Sequence, residues 1–493
     1  MLGAHARVER AQRDGPRGTR DGPALARTAT MSFRDPAGRL VDVDGRLLRL
    51  VHTDASPDVL SFLQSPFARR LERDGHLVTS RIADDELARG SLADGWGTVL
   101  EHERVPFASF PYEWPPEMLY AAGRLTLDLA EEATAAGWAL KDASPFNVLF
   151  RGTVPVFVDL PSFERRPAGA TIWLPYAQFV RTFILPLLAN KHFGFPLRRI
   201  FDGHREGLEP LEVYRFCSWR QRLSPDFLTL ATIPTLFAGR ALGAAPRQPA
   251  AVSVLAAERA AFVTKGIFRH LRRALHAARP RGRRRSRWSS YTSSGPHDER
   301  YHVAKRSAVE RLLRDLKPRT VLDIGANDGH IARVAARGGA RVVAIDRDES
   351  AVGAAFDAAR TEALDVLSLV VDLIDPPGAT GWRNRECRSF LDRAAGQFDA
   401  VLLLAVVHHL MVSGGVPLDE VIALVAEVTR DAAVIEFVPR DDVLFQQLAR
   451  GREAMYEWLT PETFEEVCRR HFRLEGTLPV GESGRRLYLL RRS

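Results

Sequence analysis

The stretch from Thr320 to Gly329, TVLDIGANDG, with Arg341 to Asp346, RVVAID, decides the fold of the C-terminal half. Each begins as an apolar, β-branched run of strand length, and helix-like sequence (HIARVAARG) lies between them. The same alternation continues through LSLVVDL, FDAVLLLAVV and AAVIEFV, separated by patterns such as ESAVGAAFDAAR and LDEVIALVAEVTR. Near-continuous apolar strands separated by helices predict a parallel sheet covered on both faces. FRLEGTLPV and RRLYLLR, joined across Gly481 to Gly484, predict a closing β-hairpin. The expected class is α/β, a doubly wound Rossmann-like sheet over residues 301–493.

The first strand ends as Asp323-Ile-Gly325-Ala-Asn327-Asp-Gly329 and opens a helix, and the second ends in Asp346, 21 residues after Gly325. In a doubly wound fold an acid there faces ribose hydroxyls. A dinucleotide site normally has a second glycine so that the backbone can approach a pyrophosphate, and here that position is Asn327. A cofactor with adenosine and ribose but no pyrophosphate suits the turn better.

VLDIGANDG, VVAID, LVVDLID and FDAVLLLAVVHHL, in this order and spacing, resemble the successive motifs of class I S-adenosylmethionine-dependent methyltransferases. The resemblance implies S-adenosylmethionine as cofactor. It also implies that Asp323 and the turn through Gly325, Asn327 and Gly329 border the methionine moiety, that Asp346 takes the ribose hydroxyls, and that Asp372 lies near the adenine. The reversed last strand of that family matches the closing hairpin. Methyl transfer is an in-line displacement at a sulfonium carbon, so the protein positions a nucleophile and removes its proton where needed. Candidates are His408 and His409, after the fourth strand, and Glu436 in the fifth. Each has a bland alternative: capping or packing for the histidines, a structural role for Glu436.

The front half, residues 31–240, reads as α+β. GRLVDVDGRLLRLV alternates around Asp44-Gly45 as a hairpin does, a helical pattern from Val59 to Gly75 is weakened by Pro66, and an amphipathic helix spans about 116–136. It leads into LKDASPFNVLFRGTVPVFVD (140–159), where Asp142, Asn147 and Asp159 have the spacing by which kinases hold a hydroxyl and metal-bound phosphates. No Gly-rich loop precedes them, Leu-Pro follows Asp159, and residues 1–140 contain no lysine. The region resembles the front part of two-part bacterial proteins with a methyltransferase back half, on PYEW (111–114), LKDASPFN, PVFVD and, in the back half, EFVP. A degenerate kinase-like domain is the expectation.

Residues 1–30 carry +3 and residues 266–300 carry +8, which leaves −3 of the total +8 for everything else. The basicity therefore sits in an unpatterned leader (1–30) and a basic linker (241–300), and a nucleic-acid partner is not expected. Cys217, Cys387 and Cys468 are far apart and never in C-x-x-C, so neither disulfides nor a metal site is expected, in keeping with a cytoplasmic protein. Trp173 to Ala189 is apolar but shorter than a membrane span and carries Arg181 and two internal prolines, which predicts a buried helix. The leading expectation is methyl transfer to a small-molecule or glycan hydroxyl. A bifunctional protein with kinase-like phosphotransfer and a non-catalytic cofactor-binding scaffold stay open beside it, and the oligomeric state is not legible.

Overall fold

The computed structural model describes residues 28–32, 35–167, 170–241, 254–280, 299–481 and 483–492. In the front half five strands, β1 (Thr28–Ser32), β2 (Gly38–Val43), β3 (Arg46–His52), β4 (Ser80–Ile82) and β5 (Trp96–His102), form an antiparallel sheet in the order β1-β2-β3-β5-β4. Asp44 and Gly45 join β2 to β3 at φ +50° and +84°, as a two-residue hairpin turn requires. The leader boundary needs correction, because Thr28, Ala29 and Thr30 pair with Val43, Asp42 and Val41. The helical pattern around Pro66 is two helices, Ser56–Leu63 and Pro66–Arg73. Proline cannot continue the first, and the Ser65 hydroxyl caps the second by accepting from the Ala68 N–H at 3.1 Å.

The helix Pro116–Ala135 leads to two short ladders, β6 (Trp138–Leu140) with β9 (Phe163–Arg165) and β7 (Val148–Arg151) with β8 (Val154–Phe157). Helices follow to Ala241. The apolar stretch is buried there from Phe179 onward, with Phe179, Phe183, Ile184 and Leu185 inaccessible. No helix among the described residues is long and apolar enough to cross a membrane. Part of the stretch read as linker is packed rather than solvated. Val254–Ala277 is a helix that buries Thr264, Phe268, Leu271 and Leu275, the i, i+4, i+7, i+11 stripe of an amphipathic helix. The arginines from Arg281 to Arg287 lie outside the described residues.

The C-terminal sheet has seven strands: β10 (Thr320–Ile324), β11 (Arg341–Asp346), β12 (Val366–Val370), β13 (Phe398–Leu403), β14 (Thr429–Phe437), β15 (Phe472–Pro479) and β16 (Arg486–Arg492). Their order is β12-β11-β10-β13-β14-β16-β15, with β10 to β14 parallel and β16 reversed between β14 and β15. The winding reverses between β10 and β13, which opens a crevice at their carboxyl ends. The sheet is α/β doubly wound with a closing hairpin, as the alternation of apolar runs predicts.

The halves share one hydrophobic core. PYEW lies at their boundary: Glu113 is wholly buried, accepts from the Phe110 N–H at 3.0 Å and is ion-paired with Arg393 of the C-terminal half. Arg393 also donates to the Ala108 carbonyl and lies against the rings of Phe107, Phe110 and Phe390. Asn190 donates to Glu349 at 2.6 Å, and Arg205 is paired with Glu386 at 2.6 Å. Pro111–Glu113 lies beside the edge strand β12, so the front half covers a sheet edge that would otherwise expose unpaired backbone.

Candidate functional site

Three acids, Asp323, Asp346 and Asp372, stand at the carboxyl ends of the adjacent strands β10, β11 and β12. The turn after β10 is tight: the N–H groups of Gly325 and Ala326 both donate to the Ile345 carbonyl, at 2.8 and 3.0 Å. Gly325 has φ +73°, and a Cβ there would stand 2.3 Å from Cγ2 of Val406. Gly329 has φ +69°, with Cβ of Ala355 only 2.8 Å from where its own would be. Asn327 adopts φ +50°, a left-handed position that asparagine tolerates better than most side chains. Its N–H donates to Oδ2 of Asp346 at 2.9 Å, while the Asp348 N–H donates to Oδ1, also at 2.9 Å. The Asp346 carboxylate is thus fixed by two backbone donors, and burial raises its pKa against their opposing effect.

Asp323 is buried, and its Oδ2 has no hydrogen-bond partner among the described residues. Burial pushes its pKa up to about 7, with Lys305 pulling the other way. An orphaned buried carboxyl oxygen is costly unless a ligand completes it. Asp372 is partly buried and accepts from the Ile374 N–H at 3.0 Å.

Beyond β13 the chain turns sharply, with Ala405 at φ +59°, a strained conformation for a residue with a Cβ. His408 and His409 follow, ring centroids 4.3 Å apart. His408 is 2 % exposed and neither ring nitrogen has a hydrogen-bond partner among the described residues. Burial, then the neighbouring His409, hold its pKa well below the ordinary histidine value. His409 is partly buried, and burial with Arg347 and Arg485 brings it down to about 4. Both imidazoles are neutral at pH 7.

Glu436 is differently placed. It is fully buried in β14, accepts from the Tyr301 hydroxyl at 2.6 Å and Arg485 at 3.2 Å, and is ion-paired with Lys305 at 2.5 Å. Burial raises its pKa, but Lys305 and Arg485 outweigh that and bring it to about 2. Arg485 reaches on to Asp442 at 2.9 and 3.1 Å, and Asp442 caps the helix Val443–Ala449. Tyr301, Lys305, Asp442 and Arg485 are not legible in sequence. They belong to no local motif, and Tyr301 lies 135 residues from Glu436.

The second cluster is in the front half. Asp142 accepts from the Ser144 N–H at 3.0 Å and from Gln178 at 2.6 Å. Asn147 donates to the Ser162 hydroxyl at 3.5 Å, and that hydroxyl donates to Asp159. Arg49 of β3, buried, is paired with Asp159 at 3.0 Å and Asp35 at 2.8 Å. Arg49 therefore places a buried cation from β3 against Asp159. No group of three or more potential metal-ligating acids, histidines or cysteines occurs among the described residues, and the three cysteines are free and buried.

Residues 297–446 match the family described as "Methyltransferase domain". Over 470 residues the chain is 29 % identical to the nodulation protein NoeA of Rhizobium meliloti (strain 1021), a match covering 94 % of this chain and 95 % of that protein. Among solved structures, magnesium protoporphyrin IX methyltransferase from Synechocystis PCC 6803 with bound S-adenosylmethionine is 18 % identical, with a TM-score of 0.30, 42 % of this chain and 90 % of that chain covered. The bifunctional kinase-methyltransferase WbdD is 21 % identical, with a TM-score of 0.29 and 41 % of each chain covered. Residues 297–446, the stretch of the methyltransferase match, hold strands β10 to β14 and the three acids at the carboxyl ends of β10, β11 and β12.

Proposed function

We propose that the protein transfers a methyl group from S-adenosylmethionine to a hydroxyl of a small metabolite or glycan. The residues fit the cofactor. The orphaned oxygen of Asp323 suits an ammonium group, the glycines let the turn pack closely on Val406 and Ala355, and the fixed carboxylate of Asp346 suits a pair of hydroxyls. Asp372 borders the adenine side. The cofactor supplies a methyl group on a positively charged sulfur, and the remaining work, holding the acceptor and taking its proton, falls to this chain.

His408 carries the acceptor reading. A buried imidazole with two unpartnered nitrogens, held neutral at pH 7, is a proton acceptor waiting for a donor, and a hydroxyl provides one. His409 is the alternative base. Glu436 is assigned to positioning, because Lys305, Arg485 and Tyr301 occupy its carboxylate. The test is incubation with methyl-labelled S-adenosylmethionine and fractionated cell extract, followed by identification of the labelled product. An oxygen-methylated metabolite or glycan supports the reading. Label on nitrogen or carbon refutes the hydroxyl acceptor, and cofactor binding with no product in any fraction favours a scaffold.

Arg49 favours a second reading, phosphotransfer in the front half, because it brings a cation to Asp159, which is linked to Asn147 through the Ser162 hydroxyl. ATP hydrolysis or phosphoryl transfer lost in both Asp142→Ala and Asp159→Ala, with cofactor binding intact, would establish it. Its absence in the unaltered protein would exclude it.

A further inference from the structure

The helix Val254–Ala277 and the segment before Tyr176 enclose an open groove of about 620 Å³ lined by Ile172, Leu174, Tyr176, Val263, Ile267 and His270, among others. Its floor is firm, with Trp173 buried against Phe268, ring centroids 5.4 Å apart. Its rim is not covered. Leu174 and Phe262 are each 80 % exposed and Ile172 is 68 % exposed. Single exposed apolar residues are ordinary, but a cluster of large ones beside a groove marks an interaction surface.

The charge around the groove names the partner. Lys265, Arg269 and Arg273 are exposed on the same helix, and Phe262, Gly266, Arg269 and Arg273 follow the i, i+4, i+7, i+11 rule that aligns them on one stripe. Arg272 is neutralised by Asp128 and Glu131 of the helix Pro116–Ala135, whereas these three cations have no ion pair among the described residues. A second copy of the chain would set this basic face against its like. RNA would use the cations but leave Phe262, Leu174 and Ile172 in water. An anionic bilayer surface satisfies both, taking large apolar side chains at the acyl boundary and basic ones at the headgroups.

We propose that this face docks peripherally on an anionic membrane surface. The test is sedimentation of the full-length protein with vesicles of phosphatidylcholine alone and of phosphatidylcholine with phosphatidylglycerol, at low and at physiological salt. Binding is expected to the anionic vesicles only. Arg269→Ala with Arg273→Ala should weaken partitioning by roughly thirtyfold at about one unit of headgroup attraction per cation. Leu174→Ser with Phe262→Ser, which leaves every cation in place, should weaken it by at least about tenfold. Melting curves and cofactor binding matching the unaltered protein show that the variants are folded. Absence of vesicle binding overturns the proposal, as does binding indifferent to the two serine substitutions. Binding to RNA without vesicles, or self-association abolished by the serine substitutions, would assign the face elsewhere and equally overturn it.

Discussion

Removing either partner of the Glu113–Arg393 pair should damage the protein unequally, and the inequality depends on pH. Both side chains are buried, Glu113 completely. Glu113→Ala leaves a guanidinium that cannot give up its proton, with only the backbone carbonyls of Ala108, Arg388 and Ser389 and three aromatic rings to face. Breaking a buried pair in this way costs about 3–5 kcal/mol. Arg393→Met leaves a carboxylate that can be neutralised. Burial already raises the Glu113 pKa against the lowering effect of Arg393, so losing Arg393 raises it further. A carboxyl whose folded pKa lies above its unfolded value destabilises the fold at high pH, and stability returns as pH falls through the folded pKa. The Arg393→Met penalty should therefore be smaller than that of Glu113→Ala at pH 7 and shrink further by pH 5, whereas the Glu113→Ala penalty does not shrink, because that variant lacks the carboxyl whose protonation steadies the unaltered fold. Urea unfolding of both variants and the unaltered chain at the two pH values reads this directly, through changes in midpoint at constant slope. Equal and pH-independent penalties, or penalties under about 1 kcal/mol for both, would refute the buried ion pair as a tie between the halves.

Three further outcomes follow from the proposed methyltransferase site. Gly325→Ala places a methyl group against Val406 in a left-handed turn, so cofactor affinity should fall by about tenfold or more, with partial recovery in Gly325→Ala with Val406→Ala; calorimetry measures both. His409, with its folded pKa lowered to about 4, binds its proton less readily folded than unfolded. Its share of stability is present above pH 6.5 and lost as pH falls towards 4, so the loss in urea midpoint between pH 7 and pH 5 should be smaller in His409→Gln. His408→Gln should reduce turnover of the hydroxyl acceptor by about a hundredfold or more while leaving cofactor affinity within about twofold, and equal loss of both would make His408 a packing residue.

The sheet was legible because parallel strands buried on both faces must be apolar throughout, and runs such as VLDIG and RVVAID have no other stable use at that spacing. The acids at the strand ends were legible for the same reason, since a polar residue closing such a run stands at the sheet's edge. What escaped was everything held by distant partners. Lys305, Tyr301 and Arg485 converge on Glu436, and Arg393 meets Glu113 across 280 residues. The packing of the helix Val254–Ala277 was obscured by its arginines, which dominate composition although the buried Phe268, Leu271 and Leu275 decide its place. Arg49 is not legible because the kinase pattern specifies a lysine, while either cation can pair with Asp159.

The most direct test of the cofactor site is calorimetry of S-adenosylmethionine and adenosylhomocysteine with the unaltered protein, Asp346→Asn and Asp346→Ala. Hydrogen bonds to a charged group contribute about 1.5–3 kcal/mol each, so Asp346→Ala should weaken both ligands in parallel by at least about tenfold. Asp346→Asn, which keeps one acceptor oxygen, should weaken them less. Unchanged affinity in Asp346→Ala would contradict the account, because a crevice indifferent to that carboxylate does not hold the cofactor's ribose there.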